Sequence, residues 1–186
     1  DIYESQLFLH YADLNDAMAI RRIVHQVLPD EFYHLAGQSH VGLSFEIPES
    51  TCELTAMGPL RILEILRELE DPPRMLHASS REIFGTPSYI PQVETTPFNP
   101  STPYGCAKAF ATHLVRTYRD SQDLFCCNAI CYNHESPRRG ENFVTRKITT
   151  AAARIAAGLQ KKVGLGDLSA ARDWGYAGDY VEAMWR

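Results

Sequence analysis

The chain has 186 residues, of which 45% are apolar, and it carries a formal net charge of −5. This size and composition predict a globular protein with a proper core, and no unbroken apolar run approaches the roughly 18 residues of a membrane span. The acidic balance argues against a nucleic-acid partner, because duplex phosphates require a broad basic surface, and we expect a cytoplasmic protein without a membrane partner.

The first third of the chain alternates between helical and extended patterns. Apolar residues at helical spacing predict a helix from Asp16 to Val27, with Asn15 or Asp16 as its cap. A short strand is expected from Glu31 to Ala36, running into a polar loop. A long helix, weakened by Gly58-Pro59, is expected from Pro48 to Leu69.

The alternation continues through the rest of the chain. A strand is expected from Arg74 to Ala78, and a proline-rich loop from Tyr89 to Thr102. Pro103 opens a helix that ends near Ser121. Another strand is expected from Leu124 to Tyr132, and another helix from Thr145 to Leu159. Strands and helices in alternation predict an α/β fold, with a parallel sheet wrapped by helices.

The five cysteines lack the paired spacing of a zinc site, so no metal is expected. Cys126, Cys127 and Cys131 lie in an apolar stretch that predicts a buried strand. Free cysteine behaves there as a small hydrophobic residue, and we favour this interpretation over a metal site or a disulfide. A reducing compartment agrees with it.

Four chemically useful side chains occur in two short motifs. Ser80 and Glu82 follow the predicted strand that begins at Arg74, and Tyr104 and Lys108 lie on one face of the next helix, one turn apart. An ammonium beside a phenol stabilises the phenolate, which can then act as a base. Plainer interpretations exist for each: a surface aromatic with a solvated lysine, a capping or solvated carboxylate, and a strand-end hydroxyl bonded to backbone.

Longer strings give these motifs a context. They are LAGQSHV from Leu35, NHESPRRG from Asn133, FVTRK from Phe143, RDWG from Arg172 and DYV from Asp179. With the Tyr104–Lys108 spacing, they closely resemble the GDP-mannose 4,6-dehydratases, an extended group of the short-chain dehydrogenase/reductase superfamily. The resemblance runs from about Ala12 to Trp185.

The resemblance implies a Rossmann-type, doubly wound parallel sheet that is incomplete here. Such a domain normally opens with a strand and a glycine-rich turn, yet no such turn precedes Asp13. We therefore expect an internal piece of a longer protein. Residues 1–132 are expected to form a partial NAD(P)-binding domain with the catalytic residues. Residues 133–186 are expected to bind cofactor and substrate and to lead into a smaller substrate domain.

The resemblance also implies the role of each site residue. Ser80, Glu82, Tyr104 and Lys108 would be catalytic in converting GDP-mannose to a 4-keto-6-deoxy sugar. Asn133, Lys147 and Arg172 would bind the substrate. NADP would contact a set drawn from several segments: Asp13, Leu14, Leu35, Ala36, Gly37, Gln38, Ser39, Lys108, His134 and Arg139.

Arginine suits these ligands because its planar fork pairs with diphosphate oxygens. A plainer interpretation makes Asp13 a helix cap and His134 a satisfied strand-end residue. Three positions depart from the family pattern. Gly37 replaces alanine, Ser50 replaces a cofactor-contacting tyrosine, and Arg81 replaces a small polar residue. The Arg81 charge either lowers the pKa of Glu82 or points to solvent.

The sequence leaves other functions open. One is a different sugar-nucleotide epimerase or reductase of the same superfamily, and Glu82 argues against it because a simple epimerase has no proton to remove from carbon 5. Another is a non-catalytic remnant that binds a nucleotide or a partner chain. The two long predicted helices resemble the pair through which the family dimerises, which implies a homodimer or homotetramer.

Overall fold

The computed structural model describes residues 6–86 and 90–186. Its internal contacts divide the chain into two compact units, Asp1–Ile130 and Cys131–Arg186. The helices and strands of the first unit are α1 (Ala17–Val27), β1 (Glu31–His34), α2 (Pro48–Cys52), α3 (Gly58–Arg67), β2 (Arg74–Ser80), α4 (Pro103–Ser121) and β3 (Cys126–Cys131), whose last residue opens the second unit. The second unit continues with β4 (Asn133–Glu135), α5 (Val144–Ala156), β5 (Trp174–Tyr176) and α6 (Ala177–Trp185).

The sheet of the first unit has the order β1-β2-β3. Strands β1 and β2 run parallel, with Glu31 opposite Arg74 and His34 opposite His77. The carboxyl end of β2 therefore lies beside that of β1, where ligands of doubly wound sheets bind. This arrangement confirms the predicted parallel α/β fold.

The core of the first unit lies between the sheet and its helices. Leu63 and Leu66 of α3 are buried together with Val24 of α1, Met75 of β2 and Val115 of α4. Burying a leucine or isoleucine side chain stabilises the fold by about 1.5–3 kcal/mol. Helix α4, which carries the predicted catalytic pair, is thus fixed on β2 by apolar packing.

Local signals define the starts of two helices as predicted. Asp16 caps α1, because its carboxylate accepts a hydrogen bond from the Ala19 N–H at 2.9 Å. Thr102 caps α4 by accepting from the Gly105 N–H at 2.9 Å, and Pro103 occupies the first turn, where its missing N–H costs nothing.

The predicted Pro48–Leu69 helix is interrupted more strongly than expected. A π-helical turn, Glu53–Met57, separates α2 from α3, and the Gly58 N–H donates to the carbonyl of Glu53. Pro59 has no N–H and its ring would clash with the carbonyl four residues earlier. The backbone widens before Pro59 for this reason.

Several predicted boundaries were wrong by a few residues. β1 ends at His34 and not at Ala36, while β2 extends beyond Ala78 to Ser80. β3 is shorter than the predicted Leu124–Tyr132 strand, and α5 ends at Ala156, just before Gly158 with φ +72°. Residues 90–102 contain no helix or strand, and Tyr89 lies outside the described residues.

The prediction for the cysteines holds only in part. Cys126 is buried, whereas Cys127 and Cys131 are half-buried, so the strand is not closed off from solvent along its length. Cys52 and Cys106 are exposed, and none of the five cysteines, all of which lie in the described ranges, forms a disulfide.

The second unit contains two short strands and two helices, of which β4, β5 and α6 were not predicted. β4 and β5 pair in parallel, with His134 opposite Gly175. The Tyr180 ring of α6 packs where a side chain at Gly175 would lie, and it lies 5.2 Å from the His134 ring. Across the described ranges, no helix is long and apolar enough to cross a membrane.

Candidate active site

Lys108 and Tyr104 lie on the buried face of α4, as their spacing predicts. Their exposed fractions are 6% and 7%. The Lys108 Nζ donates to the carbonyl of Ala78 at 2.7 Å and lies 5.9 Å from the centre of the Tyr104 ring. The ammonium is therefore held near the carboxyl end of β2 and close to the Tyr104 ring.

Glu82 lies in a 3₁₀ turn, Arg81–Phe84, directly after β2. The backbone of this turn approaches the first turn of α4 closely, since a Cβ added at Gly105 would lie 2.6 Å from the carbonyl oxygen of Glu82. Only glycine fits there without moving backbone. The residue after Tyr104 thus allows the Glu82 turn to pack against the helix that carries Tyr104, a role that the sequence reasoning missed.

Ser80 is the last residue of β2 and caps the Glu82 turn. Its Oγ accepts a hydrogen bond from the Glu82 N–H at 3.3 Å. This is the strand-end contact with backbone that was the plainer interpretation of Ser80. Because the oxygen accepts, the contact does not use the hydroxyl proton.

Arg81 does not point to solvent. Its Nη2 lies 2.7 Å from a carboxylate oxygen of Glu82, and the two side chains are only 22% and 16% exposed. The ion pair with Glu82 therefore rules out the solvent-pointing alternative for this departure from the family pattern.

Two buried histidines lie close enough to Lys108 to respond to its charge. His34 and His77 are 3% and 0% exposed. Burial first, and the Lys108 ammonium second, lower the pKa of His34 to about 4. Burial, the Lys108 ammonium and the neighbouring His34 together lower the pKa of His77 to about 2. Both imidazoles are consequently neutral at pH 7.

The predicted cofactor loop, Leu35 to Ser39, follows the carboxyl end of β1. Gly37 adopts φ +149°, a backbone conformation that favours glycine. Gln38 is tied into the first unit, because its Nε2 donates to the carbonyl of His40 and to Thr51 Oγ1, both at 3.1 Å. Leu35, Ala36 and Ser39 are exposed.

Asp13 and Leu14 precede α1 in a turn and do not follow a strand, because residues 8–13 form neither helix nor strand. The Asp13 carboxylate accepts from the Asn15 N–H at 2.8 Å. The Leu14 side chain packs on Gly58, and its carbonyl accepts from Arg61 at 3.2 Å. Both residues therefore already make contacts that stabilise the fold.

In the second unit, Asn133 and His134 lie on β4. The Nδ1 of His134 lies 2.8 Å from the carbonyl of Tyr132. A carbonyl can only accept, so Nδ1 carries the proton in this contact and Nε2 is the other ring nitrogen that can meet a ligand.

Arg139 is held from two sides in the second unit. Its Nε lies 3.2 Å from a Glu135 carboxylate oxygen, although the N–H makes no hydrogen bond of suitable geometry, and its guanidinium lies 3.6 Å from the centre of the Phe143 ring. Glu135 also accepts from the Thr145 hydroxyl. These contacts fix the orientation of the Arg139 fork.

The remaining basic candidates are exposed. Lys147 lies on α5, and Arg172 lies two residues before β5, where its Nη1 donates to the carbonyl of Ala171 at 2.7 Å. Arg138 is exposed as well. The first unit thus holds the four predicted catalytic side chains, and the second holds the candidates for phosphate and sugar contacts.

Comparison with known proteins adds an independent line of evidence. The family model described as GDP-mannose 4,6 dehydratase matches residues 1–186. GDP-mannose 4,6 dehydratase 2 of Arabidopsis thaliana is 54% identical over the whole chain, which covers 50% of that protein. A GDP-mannose 4,6-dehydratase of Vibrio cholerae is 50% identical over 97% of this chain and 49% of its own length. The chain thus spans about half the length of these curated relatives.

Among solved structures, RMD from Pseudomonas aeruginosa, complexed with NADPH, superposes with a TM-score of 0.87. It is 27% identical, and the match covers 94% of this chain and 59% of that one. The doubly wound α/β architecture expected from the sequence is that of this neighbour.

Proposed function

Since the chain belongs to the GDP-mannose 4,6-dehydratase family, we propose that the protein converts GDP-mannose to GDP-4-keto-6-deoxy-mannose with loss of water. The reaction makes it a hydro-lyase that uses NADP and supplies the biosynthesis of deoxysugars. The chemistry needs a base at the sugar 4-hydroxyl, a second base at carbon 5 and a proton donor for the departing water.

One observation carries the proposal. The turn with the Glu82 carboxylate packs against the helix turn of Tyr104, and Gly105 is what permits the approach. A simple 4-epimerase or reductase needs the Tyr104–Lys108 pair but has no carbon 5 proton to remove. A residue that carries a carboxylate, and whose backbone packs on the helix turn of Tyr104, favours the dehydratase over those alternatives. The same arrangement of four reactive side chains argues against a remnant without catalytic function.

Each residue has a distinct task in this proposal. Tyr104, kept available as a phenolate by Lys108, takes the proton of the 4-hydroxyl. When bound, NADP would supply the hydride chemistry at carbons 4 and 6. Glu82 removes the carbon 5 proton, which the new ketone has acidified. The hydroxyl of Ser80, or Glu82 itself, gives a proton to the leaving water.

The residues of the first unit fit a dinucleotide. Gly37, with φ +149°, lies past the carboxyl end of β1, and the Lys108 ammonium lies at the carboxyl end of the neighbouring β2. A cofactor that lay across these strand ends would meet the bare backbone of Gly37 after β1 and the positive charge of Lys108 at β2. We assign Leu35, Ala36, Gly37, Gln38, Ser39 and Lys108 to the cofactor, with Asp13 and Leu14.

We further assign His134 and Arg139 to the cofactor, and Asn133, Lys147 and Arg172 to GDP-mannose. The oriented guanidinium of Arg139 and the exposed guanidinium of Arg172 suit phosphate oxygens. With this assignment, residues 1–132 carry the catalytic groups and residues 133–186 recognise phosphate and sugar.

The proposal extends to assembly and compartment. We propose a homodimer or homotetramer formed through the α2–α3 segment and α4, supported by the exposed Phe110 on α4 and the exposed Phe45 and Ile47 before α2. The free, exposed thiols of Cys52 and Cys106 support a reducing, cytoplasmic location.

The direct test is to incubate the full-length protein with GDP-mannose and NADP and to identify the sugar product. We expect the 4-keto-6-deoxy sugar nucleotide without net consumption of NADP. A product epimerised at carbon 4 that retains its 6-hydroxyl, or no product at all, contradicts the proposal.

A further inference from the structure

Two buried hydroxyls join β2 to α4. The Oγ of Ser79 lies 2.6 Å from the Oγ1 of Thr112, and the residues are 4% and 6% exposed. Thr112 Oγ1 also donates to the carbonyl of Lys108 at 2.7 Å. Because a hydroxyl has a single proton, Ser79 must be the donor to Thr112. The result is a directed chain of hydrogen bonds from the strand to the backbone of Lys108.

The side chain of Lys108 is attached to the same part of the strand. Its Nζ donates to the carbonyl of Ala78, the neighbour of Ser79. Two successive residues of β2 therefore hold two residues one turn apart on α4. A third contact comes from β3, where the Asn128 side chain donates to the carbonyl of Thr112 at 3.1 Å.

A hydrogen bond from threonine to the carbonyl four residues earlier is common in helices and is not sufficient for a role. Thr117, five residues further along α4, makes the same bond to the carbonyl of His113 at 2.9 Å and is exposed. Thr112 differs because it is buried and has a partner on the neighbouring strand. If Thr112 lost its hydroxyl, the buried hydroxyl of Ser79 would have no acceptor.

We propose that Ser79 and Thr112 are positioning residues that set the distance between the Lys108 ammonium and the Tyr104 phenol. The inference rests on the proposed function. Tyr104 moves with helix α4, whereas the Lys108 Nζ is bound to strand β2. The separation of the two groups consequently depends on how α4 sits on β2, and the Ser79–Thr112 bond fixes that placement.

The first variant is Thr112→Val, which keeps the shape of the side chain and removes the hydroxyl. A displaced ammonium stabilises the phenolate less, so the acid limb of the kcat profile should move up by about half a pH unit or more. At neutral pH kcat should fall about 10-fold. Thr112→Ser keeps a hydroxyl and should return the acid limb to its wild-type pH. Thr117→Val is the matched control, because Thr117 has no partner on any described strand and its loss should leave the limb in place.

A double variant separates positioning from stability. Thr112→Val leaves the buried Ser79 hydroxyl without a hydrogen-bond acceptor, which lowers the stability of the fold. The double variant Ser79→Ala with Thr112→Val removes both hydroxyls and should restore much of that stability. The pH limb should nevertheless stay displaced. The other titratable groups around Tyr104 and Lys108, namely His34, His77, Arg81 and Glu82, are unchanged in these variants. A limb that returns to the wild-type pH in the double variant, or that never moves, overturns the proposal.

A second readout does not depend on turnover. NADPH binding, followed by fluorescence of the bound nicotinamide, should weaken about 5-fold in Thr112→Val and remain unchanged in Thr112→Ser. If the wild type binds NADPH without dehydrating GDP-mannose, the proposed function is wrong, and the NADPH affinities alone test the positioning role. Equal NADPH affinities of the wild type and Thr112→Val would then overturn that role. A wild type that binds no NADPH refutes both the Lys108 assignment and the positioning role.

Discussion

The Nδ1 atoms of His34 and His77 lie 3.0 Å apart, where the two residues face each other as register partners on β1 and β2. Their rings stack with centres 5.1 Å apart. One Nδ1 donates to the other, so the pair is held by a hydrogen bond between two neutral rings. Lys108 adds a nearby positive charge that opposes protonation of either ring.

This pair should make the folded protein sensitive to acid. The unfolded imidazoles have a pKa near 6.5, and the folded values are about 4 and about 2. Below pH 6.5 the unfolded chain therefore binds more protons than the folded chain. The stability from keeping these rings neutral is complete above pH 6.5. It is lost as pH falls towards about 4 for His34 and about 2 for His77, at up to about 1.4 kcal/mol per pH unit for each ring.

Urea unfolding between about pH 7.5 and about pH 4.5 measures that slope. His77→Gln removes one imidazole and should give a shallower slope than the wild type. His25→Gln is the matched control, because His25 is exposed and its loss should leave the slope unchanged. Equal slopes in all three proteins would contradict the prediction.

Gly105→Ala should reduce turnover without abolishing the fold. The new Cβ would lie 2.6 Å from the Glu82 carbonyl oxygen, and backbone there can yield only if the turn moves. A displacement on the order of 1 Å at a catalytic group costs about 100-fold in rate. Gly166→Ala is the control, since nothing lies within 4 Å of its added Cβ. We expect kcat to fall only at position 105, and unchanged kcat there would show that the close approach is dispensable.

The elements that the sequence predicted best carry strong local signals. Helix α1 has an aspartate cap and regular apolar spacing, and α4 begins with a threonine cap and Pro103. Strand ends were less predictable because they depend on the neighbouring strand. β2 continues through Ser79 and Ser80 within the sheet, although the chemistry of these residues suggested the start of a loop.

In the candidate site, too, local motifs were predictable from the sequence and contacts between distant residues were not. Tyr104 and Lys108 form a local pattern, and the motif at the end of β2 supplied Ser80 and Glu82. His34 with His77 and Ser79 with Thr112 are separated by 43 and 33 positions, so their contacts exist only once register and helix packing are known. Gly105 did have a signal, since it directly follows the tyrosine that we propose as catalytic. The meaning of that signal depends on the Glu82 backbone that approaches Gly105.

Arg139 and Arg172 should affect different ligands. Losing a charge-assisted hydrogen bond costs about 1.5–3 kcal/mol, or roughly 10- to 100-fold in affinity. Arg139→Ala should weaken NADPH binding, and Arg172→Ala should weaken GDP binding, each measured by calorimetry. Arg154→Ala, an exposed arginine on α5 outside the matched motifs, is the control. If both affinities stay at the wild-type value, these arginines do not serve phosphate.

Glu82→Gln separates dehydration from every other reaction that the Tyr104–Lys108 pair supports. Gln cannot act as a base at neutral pH, so removal of the carbon 5 proton should stop while the steps that depend on Tyr104 continue. We expect the loss of solvent deuterium incorporation at carbon 5 and a fall in product formation of about 100- to 10,000-fold.

Two features of this substitution sharpen the experiment. Gln also breaks the 2.7 Å ion pair with Arg81, so Arg81→Ser is the control that removes the pair and keeps the carboxylate. Arg81→Ser should retain deuterium incorporation. Tyr104→Phe should block the reaction one step earlier, at the 4-hydroxyl, while NADPH binding persists. If Glu82→Gln forms the 4-keto-6-deoxy product at the wild-type rate, another group removes the carbon 5 proton and the role of Glu82 is wrong.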